Sequence, residues 1–296
     1  MKPNFKLSIF SFAISIFILL SITNYVYGFN IITVGDVDCK STAKELVNDI
    51  VKKAADFYLW LGDLSYTETP EGDECFLNML KNKEILDKSY IVLGNHDLLN
   101  KKDYLNTFNL TQPYYFIDFN YKIKDYKNNL NLNIHLIVIN TEEEILKNTK
   151  QYEWIENDLD RVWNNGKELY NYTLVATHRP LYGAKDVKQE LGEVKSSSFQ
   201  SLHPLFKSRG VDLVLSGHHH VYYRMVPLDG IQYITIGTGG APQHHFFTAD
   251  EKPKNIFIRF AGIHGFLNID FSDKIYGTFL DIPDNNVLDS FSIQSN

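Results

Sequence analysis

Five short apolar stretches of this chain end in polar side chains of the kinds that bind metal ions. The groups that follow these stretches are Gly35-Asp36-Val37-Asp38, Gly62-Asp63-Leu64-Ser65-Tyr66, Gly94-Asn95-His96-Asp97, Thr177-His178 and Ser216-Gly217-His218-His219-His220. Carboxylate, imidazole, amide and phenolate ligands together suit iron, zinc or manganese. Alternate residues after a strand face the same side, so His218 and His220 can act together while His219 faces away. The sequence therefore predicts a metal centre, and the glycine before four of the groups is expected to let the backbone turn sharply.

The stretches that carry these groups are predicted to be β-strands. They have strand length and are rich in β-branched or aromatic residues: Ile31–Val34, Phe57–Leu61, Tyr90–Leu93, Ile134–Ile139, Tyr172–Ala176 and Val211–Leu215. Near-continuous apolar runs are typical of strands that are covered on both faces. Ligands of open α/β folds collect at the carboxyl ends of the strands, so we expect these polar groups to converge on one small volume.

Helical patterns alternate with the first strands. Apolar spacing predicts helices at Ala43–Ala55, with Ser41 or Thr42 as the cap, at Gln151–Val162 and at Ser198–Ser208. Beyond Val221 the pattern changes to strands joined by short turns: Tyr222–Leu228, Gln232–Gly237, Asn255–Phe260, Gly265–Phe271 and Lys274–Leu280. The chain is therefore predicted to be an α/β domain in which helices pack around mixed, partly antiparallel sheets.

The N-terminal residues are predicted to be a targeting segment rather than part of the fold. Lys2 and Lys6 precede an apolar run from Leu7 to Ile22, and Val26-Tyr27-Gly28 offers small residues at a cleavage site. Residues 1–28 are therefore interpreted as a signal peptide, followed by one catalytic domain over 29–296. An uncleaved anchor is the alternative, but the apolar run is shorter than the roughly 20 residues that span a membrane. No stable membrane span is expected after cleavage, and the protein is expected to be secreted or to reach a lysosome-like or vacuole-like compartment.

Export affects how the cysteines and sequons are interpreted. The chain has two cysteines, Cys39 and Cys75, which form either one disulfide or two partly buried thiols. Asn109-Leu-Thr111 and Asn171-Tyr-Thr173 are possible N-glycan acceptors. The formal net charge of −7 argues against nucleic acid as a partner, because phosphate binding needs clustered Lys and Arg.

The order of the motifs resembles that of the metallophosphoesterases. Gly-Asp, Gly-Asp-x-x-Tyr, Gly-Asn-His-Asp, Val-x-x-His and Gly-His-x-His follow one another as they do in that family, and Tyr66 narrows the resemblance to the purple acid phosphatases of the tartrate-resistant type. His178-Arg179-Pro180-Leu181-Tyr182 and Gly237-Thr238-Gly239-Gly240-Ala241 are also similar to members of this family. The resemblance covers nearly all of the chain from residue 29 onward. It implies a four-layer αββα sandwich of the calcineurin-like metallophosphoesterase type.

The resemblance also implies a ligand set for a binuclear metal centre. Asp36, Tyr66 and His220 would join a bridging Asp63 around Fe(III). Asn95, His178 and His218 would join Asp63 around Fe(II), Zn(II) or Mn(II). A visible charge-transfer band from Tyr66 is implied as well.

The expected reaction is hydrolysis of a phosphomonoester by a metal-bound hydroxide, with two cations offsetting the charge of the substrate. His96 is placed to hydrogen-bond the phosphoryl group or to protonate the leaving oxygen. Asp97 either orients His96 or is a structural partner. Two departures from the family stand out: Asp38 replaces a usual glycine, and the segment from Asp186 to Glu193 lacks the substrate-binding histidines that many members carry.

The expected substrates are small phosphomonoesters or phosphoproteins. One alternative is a phosphodiesterase or nucleotidase of the same superfamily, which Tyr66 disfavours. Another is a catalytically inactive relative that serves as a binding or anchoring protein, which would be expected to have lost some of the seven metal ligands.

Overall fold

The computed structural model describes residues 28–67, 72–124, 129–164, 170–183, 201–246 and 254–294. The predicted signal peptide lies outside these residues except for Gly28, and so do the segment from Asp186 to Glu193 and the first residues of the helix predicted at Ser198–Ser208. Within the described ranges, no helix combines the length and the apolar character that crossing a membrane requires.

Two β-sheets form the centre of the described structure. The strands are β1 (Phe29–Val34), β2 (Phe57–Trp60), β3 (Ser89–Ile91), β4 (Tyr115–Lys124), β5 (Asn129–Ile139), β6 (Tyr172–Thr177), β7 (Leu213–Ser216), β8 (Tyr222–Met225), β9 (Gln232–Ile236), β10 (Ile256–Phe260), β11 (Gly265–Phe271), β12 (Ile275–Asp281) and β13 (Val287–Ile293). The helices are α1 (Ser41–Lys52), α2 (Gly72–Asn82), α3 (Lys101–Thr107), α4 (Lys150–Asn164) and α5 (His203–Ser208), with short 3₁₀ turns at Leu86–Lys88 and Asn95–Asp97.

Each sheet combines a parallel part with an antiparallel part. One sheet has the strand order β13-β12-β11-β1-β2-β3, and the other has the order β10-β8-β9-β7-β6-β5-β4. The parallel pairs are β1–β2 and β2–β3 in the first sheet, and β5–β6, β6–β7 and β7–β9 in the second. The C-terminal strands β11, β12 and β13 pair antiparallel, and β8 pairs antiparallel with β9 and β10, as predicted for the part of the chain after Val221. Strand β9 is an exception, because it also pairs parallel with β7.

Hydrophobic packing joins the two sheets and the helices outside them. Inward-facing residues of both sheets, such as Phe29 of β1 and Leu136 of β5, belong to one buried cluster, which also includes Leu46 of α1. A second buried cluster lies on the outer face of the seven-stranded sheet and contains Ile155 of α4 together with Ile137 of β5. Neighbouring side chains of β5 therefore face opposite layers, as period-2 alternation requires. The mixed α/β fold with two sheets agrees with the predicted class.

The turn after β1 is fixed by polar contacts and by a disulfide. Cys39 and Cys75 are joined, which links this turn to α2. Asp38 accepts the backbone N–H of Cys39 at 2.6 Å and pairs with Lys40 at 2.7 Å, so the residue that replaces the usual glycine closes the turn. Neither Ser41 nor Thr42 caps α1, contrary to prediction: the helix begins at Ser41, and the preceding Lys40 makes no side-chain capping bond.

Strand β13 was not predicted, because a buried charge interrupts its apolar pattern. Asp289 accepts hydrogen bonds from Arg224 Nε at 2.7 Å, from Arg224 Nη2 at 2.9 Å and from the Tyr222 hydroxyl at 2.7 Å. Arg224 and Tyr222 belong to β8, so this contact joins the six-stranded sheet to the seven-stranded sheet. The predicted helix ending at Ser208 is also shorter than expected, because residues 201 and 202 form a turn before α5.

Candidate metal centre

The predicted site residues follow the strands whose carboxyl ends meet between the two sheets. Asp36 follows β1, Asp63 and Tyr66 follow β2, and Asn95 follows β3, all from the six-stranded sheet. The remaining ligand candidates come from the seven-stranded sheet: His178 follows β6, and His218 and His220 lie between β7 and β8. Both sheets are therefore needed to assemble the site.

Asp36, Asp63, Tyr66 and His220 form the first cluster of possible ligands. The Tyr66 hydroxyl lies 3.0 Å from Asp36 Oδ1, 3.2 Å from Asp63 Oδ2 and 2.7 Å from His220 Nε2. His220 Nε2 lies 3.3 Å from Asp36 Oδ1. Each of the four side chains thus places one oxygen or nitrogen atom beside the same small space.

Asp63, Asn95, His178 and His218 form the second cluster. Asn95 Oδ1 and His218 Nδ1 each lie 3.2 Å from His178 Nε2. Asp63 Oδ2 lies 3.4 Å from the same nitrogen. Asp63 Oδ2 therefore belongs to both clusters, as a ligand shared by two ions requires.

The spacing of these atoms fits metal ions. Ligands at roughly 2.0–2.2 Å from an ion lie about 3.0–3.5 Å from one another. Six of the seven distances given above fall in that range. Two overlapping sets, Asp36–Asp63–His220 and Asp63–His178–His218, each offer three ligand atoms within 4.8 Å of one another. The donor types also suit borderline metals, because each cluster mixes oxygen with imidazole nitrogen.

Hydrogen bonds on the side away from the clusters fix the orientation of the candidate ligands. The Nδ1–H of His178 donates to the Leu61 carbonyl at 2.8 Å, and the Nδ1–H of His220 donates to the Pro242 carbonyl at 2.6 Å. Nε2 of each ring is thereby left facing its cluster, as metal-ligating histidines require. Asp36 Oδ2 accepts the His218 backbone N–H at 2.7 Å, and Asp63 Oδ1 accepts that of His96 at 2.9 Å.

The sharp turns into the site are made by the candidate ligand residues themselves. Asp36, Asp63 and His218 have φ angles of 60°, 49° and 66°, a left-handed conformation that residues other than glycine adopt rarely. Of the glycines before the motifs, Gly62 has a positive φ, at 85°. Gly217 serves instead to allow close approach, because a Cβ there would lie 2.8 Å from Asp36 Oδ2. The expectation that these glycines make the turns through a positive φ holds for Gly62 and does not hold for Gly35, Gly94 and Gly217.

His96 and Asp97 lie beside the clusters and have different contacts. The ring of His96 packs on Tyr66, with ring centroids 4.5 Å apart. Asp97 is fully buried, and its carboxylate accepts the backbone N–H groups of Gly94, Asp63 and Leu64 at 2.7–2.9 Å. Asp97 thus ties the loop after β3 to the loop after β2, which corresponds to the structural alternative for this residue.

Charge is unevenly balanced across the site. Burial would raise the pKa of Asp63, but the neighbouring His178 outweighs this and lowers that pKa to about 2. Burial, followed by the carboxylates of Asp36 and Asp63, raises the pKa of Tyr66 well above its usual range. A cation between these groups would reverse the effect on Tyr66, because a bound ion is the largest local charge at such a site.

Two residues next to the second cluster had no predicted role. Arg179 Nη1 lies 2.9 Å from His218 Nε2, and its Nε and Nη2 bind Glu142 at 2.9–3.1 Å. The position of Arg179 directly after His178 in the sequence could have indicated that it lies beside the site. Glu142 lies in a turn after β5 without a motif around it, so only the folded chain identifies it. His219 is buried and its Nδ1 lies 3.0 Å from the Tyr223 hydroxyl, outside the candidate ligand set.

Comparison with known proteins identifies the class to which this fold and site belong. Residues 29–222 match the calcineurin-like phosphoesterase family, and the chain belongs to that family. Most of the relatives found among curated proteins are purple acid phosphatases, which confirms the resemblance drawn from the motifs. Purple acid phosphatase 21 of Arabidopsis thaliana is 25% identical over 231 residues, which cover 70% of this chain and 48% of the relative. The chain spans about half the length of this relative, or less in others that it matches.

Solved structures show the same fold. The purple acid phosphatase PPD1 of yellow lupin superposes with a TM-score of 0.71 at 18% identity, covering 90% of this chain and 53% of that one. GAP50, the anchor in the inner membrane complex of Plasmodium, superposes with a TM-score of 0.69 at 17% identity, covering 90% of this chain and 89% of that one. The fold thus occurs in an acid phosphatase and in an anchor protein.

Proposed function

We propose that this chain is an acid phosphatase that hydrolyses phosphomonoesters at a binuclear centre of Fe(III) with Fe(II), Zn(II) or Mn(II). The observation that carries this proposal is the position of Asp63 Oδ2, which lies 3.2 Å from the Tyr66 hydroxyl and 3.4 Å from His178 Nε2. One carboxylate oxygen thereby faces two clusters that are otherwise separate. The seven ligand positions are filled by residues with suitable donor atoms, which favours an active enzyme over an inactive relative.

The proposed roles divide between the two clusters. Asp36, Tyr66 and His220 would hold the ferric ion together with Asp63, and Asn95, His178 and His218 would hold the divalent ion. When bound, such ions offset the charge of a phosphoryl group and lower the pKa of a coordinated water. The phenol of Tyr66 lies among two carboxylates and one imidazole, so a trivalent ion there would favour its ionised form.

His96 is proposed to act on the substrate itself. Its backbone N–H is bound to Asp63 Oδ1 at 2.9 Å, and its ring lies against Tyr66. A ring in this position can donate a hydrogen bond to a phosphoryl oxygen or a proton to the leaving oxygen. Asp97 is proposed to be a positioning residue, because it holds the loops that carry Asp63 and His96.

An exported location is proposed from sequence and covalent structure together. The disulfide between Cys39 and Cys75 suits an oxidising compartment. Asn109 lies exposed after α3 and is the more accessible of the two sequons, because the Asn171 side chain accepts the backbone N–H of Asn133 at 2.8 Å. Secretion or delivery to a lysosome-like or vacuole-like compartment would fit both features.

The deciding experiment measures bound metal and hydrolysis on the same purified sample. We expect about two metal ions per chain, a visible absorption band, and faster hydrolysis of p-nitrophenyl phosphate than of bis(p-nitrophenyl) phosphate at acid pH. Preference for the diester would favour a phosphodiesterase or nucleotidase. A sample with two bound ions that hydrolyses neither substrate between pH 4 and pH 9 would contradict the proposal and favour a binding or anchoring protein.

A further inference from the structure

Arg179 is fixed against a candidate metal ligand by a buried carboxylate. Its Nη1 lies 2.9 Å from His218 Nε2, while its Nε lies 2.9 Å and 3.1 Å from the two carboxylate oxygens of Glu142. The Glu142 side chain is 4% exposed. The backbone N–H of Arg179 also donates to Thr141 Oγ1 at 2.9 Å. The guanidinium is thus held at the outer edge of the second cluster.

This contact differs from those of the other two histidines in the ligand set. His178 and His220 face backbone carbonyls, which accept the ring proton opposite the ligating nitrogen. His218 faces its cluster through Nδ1, so ligation there would require the remaining ring proton to sit on Nε2. A guanidinium has N–H donors and no acceptor, so two N–H groups would then face each other. The positive charge of Arg179 would also lie next to a second cation.

We propose that Arg179 weakens the second metal position, which consists of Asp63, Asn95, His178 and His218. For an ion to fill that position, the guanidinium must move away from His218. Its ion pair with Glu142 opposes this movement. The first position does not share this conflict, because His220 donates to the Pro242 carbonyl. The centre therefore binds its two ions with unequal affinity, and the supply of divalent ion sets how much of the protein holds both. This inference rests on the proposed binuclear centre.

The test is a Zn²⁺ titration of the purified, metal-stripped chain in competition with a chelator of known affinity. We expect two dissociation constants for the unaltered chain. In Arg179→Met, the weaker constant is expected to fall at least tenfold and the tighter one to change less than threefold. Methionine keeps much of the volume and offers neither a charge nor an N–H donor. A weaker constant that stays within threefold, or rises, would contradict the proposal.

Two further variants distinguish the effect of Arg179 on metal affinity from the effects of its surroundings. Arg179→Met with Glu142→Gln removes both charges, so that no unpaired carboxylate remains, and it is expected to tighten the second position as well. If only the single variant did so, the freed carboxylate would be the cause and the proposal would be wrong. Arg209→Met removes an arginine that pairs with Asp160 outside the site, and both constants are expected to stay within threefold. Equal tightening in that control would show a general charge effect and would also contradict the proposal.

The titration also distinguishes this inference from the proposed function. If both the unaltered chain and Arg179→Met bind fewer than two Zn²⁺ ions, the binuclear centre itself is refuted. Two bound ions with no effect of Arg179 would refute only the inference. Circular dichroism and thermal unfolding of each variant show whether the fold is retained before the constants are compared.

Discussion

At the scale of single residues, the two oxygens of the Asp63 carboxylate have different tasks. Oδ1 accepts the backbone N–H of His96 at 2.9 Å, which fixes the carboxylate plane. Oδ2 is left facing both Tyr66 and His178. A single substitution here should therefore affect both metal positions, whereas a substitution at Tyr66 should affect mainly one.

Replacing Asp63 with Ala is expected to release both ions and to abolish hydrolysis. The change removes the ligand that both clusters share, so each metal position loses one negatively charged oxygen. Bound metal is measured by elemental analysis after dialysis. Asp160→Ala, which removes a carboxylate of α4 outside the site, is the matched control and should retain about two ions. Finding two ions in Asp63→Ala would refute the bridging role.

Tyr66→Phe is expected to remove the visible absorption band while leaving the fold intact. The change deletes only the hydroxyl, whose oxygen lies 3.0 Å from Asp36 Oδ1 and 2.7 Å from His220 Nε2. Absorption spectra of the oxidised protein check this, with Tyr276→Phe on the exposed side of β12 as the control. A band that persists in Tyr66→Phe would mean that another group is the chromophore.

At the scale of elements, buried polar contacts decide how the strands are joined. Arg224 of β8 and Asp289 of β13 form a two-bond ion pair between the sheets, and the guanidinium lies over the ring of Phe291, 4.9 Å from its centroid. Both side chains are less than 10% exposed, so solvent stabilises either charge only weakly. Removing one partner leaves the other charge buried and unpaired inside the protein.

Asp289→Ala is therefore expected to lower the free energy of unfolding by about 3–5 kcal/mol. Arg224→Met combined with Asp289→Leu should recover most of this loss, because no unpaired charge remains. Urea unfolding followed by fluorescence measures both. Lys101→Met serves as a control, because it breaks a partly exposed ion pair with Glu143 and should cost less than about 1 kcal/mol. Equal losses in the single and double variants would contradict this account.

At the scale of the whole molecule, a buried histidine makes stability depend on pH. His135 of β5 is fully buried, and its two ring nitrogens lie 2.7 Å from Asp118 Oδ1 and 2.8 Å from Asp158 Oδ2. Asp158 lies on α4, so its contact with His135 ties that helix to the sheet, and Arg161 of the same helix also binds Asp158 at 3.0 Å. Burial alone would lower the pKa of His135, but the hydrogen bonds to the two carboxylates raise it above its usual value.

A raised pKa in the folded state means that protonated His135 stabilises the fold. This stabilisation is fully present below the pKa of an unfolded histidine, about 6.5, and is lost as pH rises through the folded-state pKa. We expect the free energy of unfolding to fall from pH 6 towards pH 9. His135→Gln should flatten this dependence, and the variant His245→Gln, outside the cluster, should keep it. Urea unfolding at several pH values would contradict the account if the two variants gave the same slope.

Much of the site was readable from sequence because its residues are local to strand ends. Asp63 and Tyr66, or His218 and His220, are separated by a few positions, so motif spacing alone groups them. Which clusters they join depends on tertiary structure, since His178 Nε2 meets Asn95 Oδ1 across 83 positions of the chain. The glycine at 217 shows the same limit: its motif was visible, but its close approach to Asp36 was not.

The sequence by itself determined the strand pattern, the order of the motifs and the types of donor atom, because these depend on periodicity and side-chain chemistry. Only the tertiary structure decided the partners of polar groups that are distant in sequence. The pairing of Asp289 with Arg224, the three backbone N–H groups held by Asp97 and the contact of Arg179 with His218 all belong to this kind. Their physical reason is shared: a buried polar group must find a partner in the folded chain, and no local pattern states which partner is nearby.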